Sequence, residues 1–232
     1  MENNGVKQPS SPHEHLCVSI VPIFNHLEQA ELKEVAKTTK RRNLSKGEVL
    51  YRAGEKSNSL YIIHKGKLKV YRLTENGKEQ VIRVLQSGDF TGELALFTDN
   101  VHDSYAEAME ATELCTINSP DIKDLFLKYP QISLKIIKEF SLRLDQTEHQ
   151  VTSFTTEDTE TRVALYLLQQ AESSQSPEIQ LPMSRKDLAS YLGTTPETIS
   201  RKLAKFEDQG WIRQYNQRAI RIMDIDALTL YK

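Results

Sequence analysis

The sequence predicts an α+β protein: an N-terminal β-roll of jelly-roll type, a long helix, and a C-terminal winged helix-turn-helix. Three observations predict it. Six of the nine glycines fall between Gly47 and Gly92 and punctuate short apolar runs. A near-heptad apolar series then spans Ile132 to Val151. Last, two short amphipathic segments flank Gly193-Thr194-Thr195-Pro196, followed by two strand-like runs around a polar turn.

The β-roll comes first. Val49-Leu50-Tyr51, Leu60 to Ile63, Leu68 to Tyr71 and Gln80 to Val84 read as short strands. Regular turn signals between such strands indicate an antiparallel sandwich or jelly roll. Asn76-Gly77 predicts a tight hairpin, and Glu113 to Ile117 a closing strand. Ser119 caps a helix with Pro120 in its first turn. Pro130 interrupts, and a long helix starts near Ile132. Its stripe of Ile132, Ile136, Phe140, Leu144 and Val151 suits packing on another helix. Leu134, Ile137 and Leu142 supply a second apolar side, which favours a dimer seam over a helix lying only on its own sheet. Thr152 to Thr161 reads as a hinge, and Thr161 to Glu172 as a short helix.

Composition bounds the function. The chain has 232 residues, 38% hydrophobic and 27% charged, enough for two modest soluble domains. No run of 18 apolar residues is present, and the polar stretch Met1 to Pro12 lacks the apolar core of a secretion signal. A cytoplasmic protein without membrane association is expected. Net charge is −2, yet residues 181–232 carry nine Lys or Arg against six Asp or Glu. A basic C-terminal piece on an acidic body suits contact with DNA. No nucleophile elbow, P-loop, HExxH or kinase set occurs, so no enzyme is expected. The expected organisation is a flexible arm over 1–15, a β-roll sensor domain over 16–120, a dimerisation region over 121–155 and the DNA-binding domain over 156–232.

The stretch Ser184 to Ile212 carries the strongest chemistry. Ser184 caps a helix over Arg185 to Leu192, which Gly193 ends. Thr195 caps a second helix with Pro196 at its first position, running to Gln209. Two helices joined by a short glycine-containing turn describe a helix-turn-helix. Ile199, Leu203 and Phe206 share the core face, and Glu197, Ser200, Arg201 and Lys205 the opposite one. Arg bonds two acceptors on guanine, Glu accepts from cytosine N4, and Ser bonds bases or phosphate. Trp211-Ile212 and Ile220 to Ile222 bracket a polar turn and predict a wing that brings Arg213, Arg218 and Arg221 near phosphates. The competing reading is a helical hairpin with a solvated charged face.

With these elements in order, the chain resembles the CRP/FNR family of bacterial regulators over nearly its whole length. Met183-Ser184-Arg185-Lys186-Asp187 through Thr198-Ile199-Ser200-Arg201 resembles the FNR branch. The branch's Glu-x-x-Ser-Arg triad maps onto Glu197, Ser200 and Arg201. The resemblance implies a homodimer on double-stranded DNA, reading TTGAT-like half-sites about 34 Å apart. It also implies RNA polymerase as a partner.

The family's ligand pocket corresponds to Gly92-Glu93-Leu94-Ala95-Leu96-Phe97, a cyclic nucleotide-binding-like region. Cyclic-AMP-binding members place an Arg-Ser pair after it. Here the pair is Asp103-Ser104, which replaces attraction for a cyclic phosphate by repulsion. At about 4 Å and an effective dielectric of about 20, each of those interactions is worth roughly 4 kcal/mol. Cyclic AMP in the usual pose is disfavoured, His102 offers a partial substitute for the lost charge, and Gly92 and Glu93 read as shaping a turn.

Cluster-bearing FNR proteins hold a four-iron cluster on four cysteines. Only Cys17 and Cys115 match those positions here, so no cluster cofactor is expected. The resemblance implies that both cysteines point at one locus, as in the FNR-like proteins (Flp) of lactic acid bacteria. It thus implies a redox-sensing disulfide, worth roughly 4–5 kcal/mol in the chain-entropy model. The alternatives are inert cysteines, and a regulator controlled instead by a small-molecule effector in the β-roll. His13, His15 and Cys17 match no standard zinc spacing, and no metal is expected.

Overall fold

A computed structural model describes residues 16–56, 58–93 and 101–230, with the backbone alone for Leu16, Cys17 and Phe154. The chain opens with α1 (Leu16–Ser19) and α2 (Gln29–Lys37). Eight strands follow: β1 (Lys40–Leu44), β2 (Val49–Tyr51), β3 (Ser59–Lys65), β4 (Leu68–Leu73), β5 (Glu79–Leu85), β6 (Phe90–Thr91), β7 (Tyr105–Ala108) and β8 (Thr112–Asn118). They form two antiparallel-type sheets of a jelly-roll-like domain, in the orders β1-β8-β3-β6 and β2-β7-β4-β5. Leu60, Ile62 and Ile63 of β3 are fully buried and pair with Ile117, Cys115 and Leu114 of β8. At Asn76-Gly77 the Gly77 φ of +72° and the Thr74–Lys78 bonds close the expected hairpin. Polar β1 and two-residue β6 carry too little apolar periodicity to be read from sequence.

Three boundaries differ from the sequence reading. Asn118, not Ser119, caps α3 (Ser119–Lys128), because its side chain accepts from Asp121 N. The long helix α4 begins at Pro130 and runs to Thr156. Proline suits a first helical position, where no N–H is needed. The threonine-rich stretch is helical rather than a hinge as far as Thr156. There Thr155 and Thr156 turn their hydroxyls back onto the Val151 and Thr152 carbonyls. Only Glu157 and Asp158 separate α4 from α5 (Thr159–Ser174), and Asp158 caps α5 through Thr161 N at 2.8 Å.

The expected apolar stripe of α4 divides along its length. Ile132 and Ile136 are fully buried, whereas Leu144 and Val151 are about 60% exposed. Leu134, Ile137 and Leu142 are also at least half exposed.

The C-terminal elements are β9 (Glu178–Gln180), α6 (Arg185–Tyr191), α7 (Pro196–Asp208), β10 (Ile212–Gln214), β11 (Ala219–Ile222) and α8 (Ile225–Thr229). The strands form a sheet in the order β10-β11-β9. Two compact units result. One comprises residues up to Leu68, Leu85–Asp103 and Glu107–Ile137; the other comprises Lys69–Val84, Ser104–Ala106 and Lys138–Lys232. The β4–β5 hairpin belongs to the second because Ser190 of α6 accepts from Val81 N at 2.9 Å and donates to the Glu79 carbonyl at 2.6 Å.

Candidate nucleic-acid interface

The helix-turn-helix is built by caps and one apolar cluster. The Ser184 hydroxyl accepts from Asp187 N and starts α6. The turn closes where Thr194 N donates to the Ala189 carbonyl at 2.8 Å. Thr195 accepts from Thr198 N and starts α7, with Pro196 behind it. Leu188 of α6 and Ile199, Leu203 and Phe206 of α7 are fully buried. Trp211 adds its ring 5.6 Å from that of Phe206. Burying one apolar face fixes the rotation of α7, so the opposite face must turn to solvent.

On that face Glu197 and Arg201 are exposed and Ser200 is half-buried. The backbone N–H at the helix start, the Thr195 hydroxyl and the Arg201 charge hold the Glu197 carboxyl below its usual value. It is therefore ionised at neutral pH and presents acceptors only. Arg201 rests on the Thr198 hydroxyl at 3.2 Å, which still leaves most of its guanidinium donors available to a base edge.

Lys205 is exposed on this helix but already has a partner. Its ammonium lies 2.5 Å from Glu160 of α5, and Lys202 lies 2.6 Å from the other oxygen of the same carboxylate. Glu160 is only 6% exposed, so the two lysines neutralise a buried charge. Nothing in the local sequence announces a partner more than 40 residues away. In the wing, Arg213 is exposed over the Tyr215 ring, Arg218 sits half-buried near the turn, and Arg221 pairs with Glu178 at 3.5 Å.

Two residues that sequence reasoning passed over join the wing to α7. Glu207, in the last turn of α7, accepts from Gln214 N at 2.7 Å and from its side-chain amide at 2.8 Å. These bonds hold the Glu207 carboxyl below its usual value. Arg185 donates to Gln214 Oε1 at 2.6 Å.

In the β-roll, Gly92 has φ +83°, and a Cβ there would stand 2.4 Å from the Ser59 carbonyl. Only glycine fits. Asp103 is exposed and Ser104 is buried. His102 does not supply the positive charge expected of it. It is 4% exposed and stacks on Tyr51 with ring centroids 3.7 Å apart. Burial lowers its pKa despite the charges of Glu55, Asp103 and Glu93, so the ring is neutral at pH 7. Leu94, with the rest of residues 94–100, lies outside the described residues.

Cys115 is buried in β8 and disulfide-bonded. The chain's other cysteine, Cys17, stands in α1, which packs on β3, the neighbour of β8; its side chain lies outside those described. His13 and His15 also fall outside the described residues.

Comparison with known proteins agrees with this geometry. Residues 41–129 match a family model described as a cyclic nucleotide-binding domain, and residues 161–231 one described as a Crp-like helix-turn-helix domain. The probable transcriptional regulator flp of Lacticaseibacillus casei is 34% identical over 214 residues, covering 92% of this chain and 97% of that protein. The chain belongs to the CRP/FNR family of transcription regulators. A fumarate and nitrate reduction regulatory protein of Vibrio cholerae is 33% identical, covering 78% of this chain and 74% of its own. Among solved CRP/FNR-type folds, FixK2 from Bradyrhizobium japonicum superposes with a TM-score of 0.75 at 25% identity, covering 84% of this chain and 97% of that one. The DNA-binding helix-turn-helix is the C-terminal module of this chain. Among the described residues no helix is long and apolar enough to cross a membrane.

Proposed function

We propose that this regulator acts in the cytoplasm as a homodimer on an inverted repeat of TTGAT-like half-sites, with affinity set by a Cys17–Cys115 disulfide. The observation that carries the DNA reading is the rotation of α7. Ile199, Leu203 and Phe206 anchor it, and Glu197, Ser200 and Arg201 lie opposite. Thr195, Arg213 and Arg218 serve backbone contacts, which position without specifying; Lys205 contributes less, because Glu160 engages it. Dimerisation is supported by Ile137, Leu144 and Val151, spaced by seven residues and each more than half exposed. Such spacing forms one seam on a helix. Full burial is worth about 1.5–3 kcal/mol per side chain.

The redox reading is supported by the bonded state of Cys115 in β8, the sheet neighbour of the strand on which α1 packs. No enzymatic step and no resident cofactor enters this reading, and RNA polymerase is the partner by family analogy. An anionic ligand in the usual cyclic-nucleotide pose is disfavoured by Asp103 and by neutral His102.

Site selection from random duplexes, run in parallel with dithiothreitol-reduced and diamide-oxidised protein, tests the proposal. Recovery of an inverted repeat, with affinity that changes between the two arms and is levelled by Cys115→Ser, is expected. Equal affinity in both arms would remove the redox part. Recovery of single half-sites would remove the dimer.

A further inference from the structure

The guanidinium of Arg185, at the first position of α6, reaches three separate pieces of the DNA-binding module. It donates to Gln214 Oε1 of β10 at 2.6 Å, to the Gln217 carbonyl in the wing turn at 3.3 Å, and to Ser200 Oγ of α7 at 3.5 Å. The Gln214 end is itself clamped, since Glu207 accepts from both its backbone and its side-chain amide. A continuous chain therefore runs from the last turn of α7, through β10, to the start of α6 and back to the middle of α7. The planar fork of an arginine serves such divergent acceptors together; a lysine ammonium on a flexible stem does not reproduce that geometry.

The contact with Ser200 has a directional consequence. A serine hydroxyl can donate or accept, so alone it accepts any base edge. A guanidinium has donors only. With Arg185 beside it, the state in which Ser200 Oγ accepts from the guanidinium and its own proton is left for another acceptor is favoured. At 3.5 Å this is the longest of the three contacts, and it acts chiefly as charge on dipole. The groove then meets a donor. In the major groove the matching acceptors are guanine O6 and N7, adenine N7 and thymine O4; cytosine N4 and adenine N6 are donors and become the poorer match, left only the second lone pair of an oxygen beside a cation.

We propose that Arg185 is a positioning residue that sets specificity: it locks the wing to α7 and fixes Ser200 as a hydrogen-bond donor toward an acceptor base edge. The proposal rests on the reading of Ser200 as a base-contacting residue. The rival role for a cation at a helix start is a plain phosphate contact, which carries no sequence information.

The experiment uses the full-length protein with Ser200→Ala, Arg185→Ala, Arg185→Lys, Gln214→Leu and the double variant Arg185→Ala/Ser200→Ala. Affinity is measured on the selected inverted repeat and on duplexes carrying each single base-pair change, across a salt series. Thermal melts report folding. Ser200→Ala is expected to lose about three- to tenfold discrimination at one base pair, the worth of one hydrogen bond. Arg185→Ala should lose it at that same base pair, with no further loss in the double variant. Gln214→Leu, with every charge intact, should show part of the same loss. Should Arg185→Ala fail to fold, Arg185→Lys gives the same readout with the charge kept. The proposal is overturned if the Arg185 variants weaken all duplexes equally. A salt slope reduced by about 0.9 per subunit would then assign Arg185 to a phosphate. If Ser200→Ala itself leaves every base preference intact, the base-reading role of Ser200 falls, and the directional role of Arg185 falls with it.

Discussion

Gly92 with His102 to Ser104 in the β-roll, and Thr195 to Lys205 in the helix-turn-helix, are the two candidate sites, and backbone and side chains carry different weight in them. In the first, the backbone requirement is intact. Gly92 still sits at positive φ against the Ser59 carbonyl. Its side chains carry no cation at neutral pH: Asp103 is exposed, and His102 is buried and neutral. In the second stretch, cap, core face and polar face occur together. A fold needs its turn whether or not a ligand is bound, so a glycine at positive φ is accounted for by the backbone alone. A reading helix needs its outward side chains only for DNA.

Three substitutions probe that contrast, in decreasing order of expected effect. Gly92→Ala should cost about 3 kcal/mol in urea unfolding, because both the backbone conformation and the Ser59 carbonyl oppose a Cβ. Its sequence preference on DNA should be unchanged in whatever fraction folds. A loss under about 0.5 kcal/mol would show that the turn relaxes, and that its shape is kept for a ligand rather than for the fold.

On the reading helix, Arg201→Ala should weaken specific binding by about 1–3 kcal/mol and blur one position, with little change in melting temperature. Lys205→Ala should do the reverse, lowering stability slightly while moving sequence preference very little, because its ammonium serves Glu160. Gel-shift competition against random duplex, paired with thermal melts, separates them. Equal losses of specificity in the two variants would place Lys205 among the reading groups after all.

The smallest effect is a pH dependence. Bonds from the Gln214 backbone and amide hold the Glu207 carboxyl below its ordinary 4.5 in the folded chain. A depressed carboxyl stabilises the fold above its unfolded value and loses that contribution as pH falls through its folded value. Melting temperatures of wild type and Glu207→Gln should therefore differ most at neutral pH and converge as the pH is taken down through and below the ordinary carboxylate value. Parallel curves over that range would mean that the bonds to Gln214 do not depend on charge.

Much of this architecture was legible in the chain. The Gly-Thr-Thr-Pro turn with its flanking caps, the core triplet of α7 and the strand-turn-strand wing each rest on local rules of capping, periodicity and turn chemistry. Their signals lie within a few residues of the structures they specify. The third strand of the wing sheet, β9, is three residues long and partly exposed, too short for any period to register. Polar β1 owes its place to pairing with β8 rather than to its own pattern.

The sequence by itself determined which side chains α7 turns outward, because helical periodicity and one apolar face leave a single rotation. Only the tertiary structure decided what those and other polar side chains touch. Lys205 of α7 went to Glu160, Arg185 of α6 to Gln214 and Ser200, and His102 of the β-roll onto the Tyr51 ring. Hydrogen bonds and ion pairs act over a few ångströms in space, and the partners here lie 15 to 51 positions apart along the chain. No local pattern encodes them; they exist once the folded backbone has closed the distance.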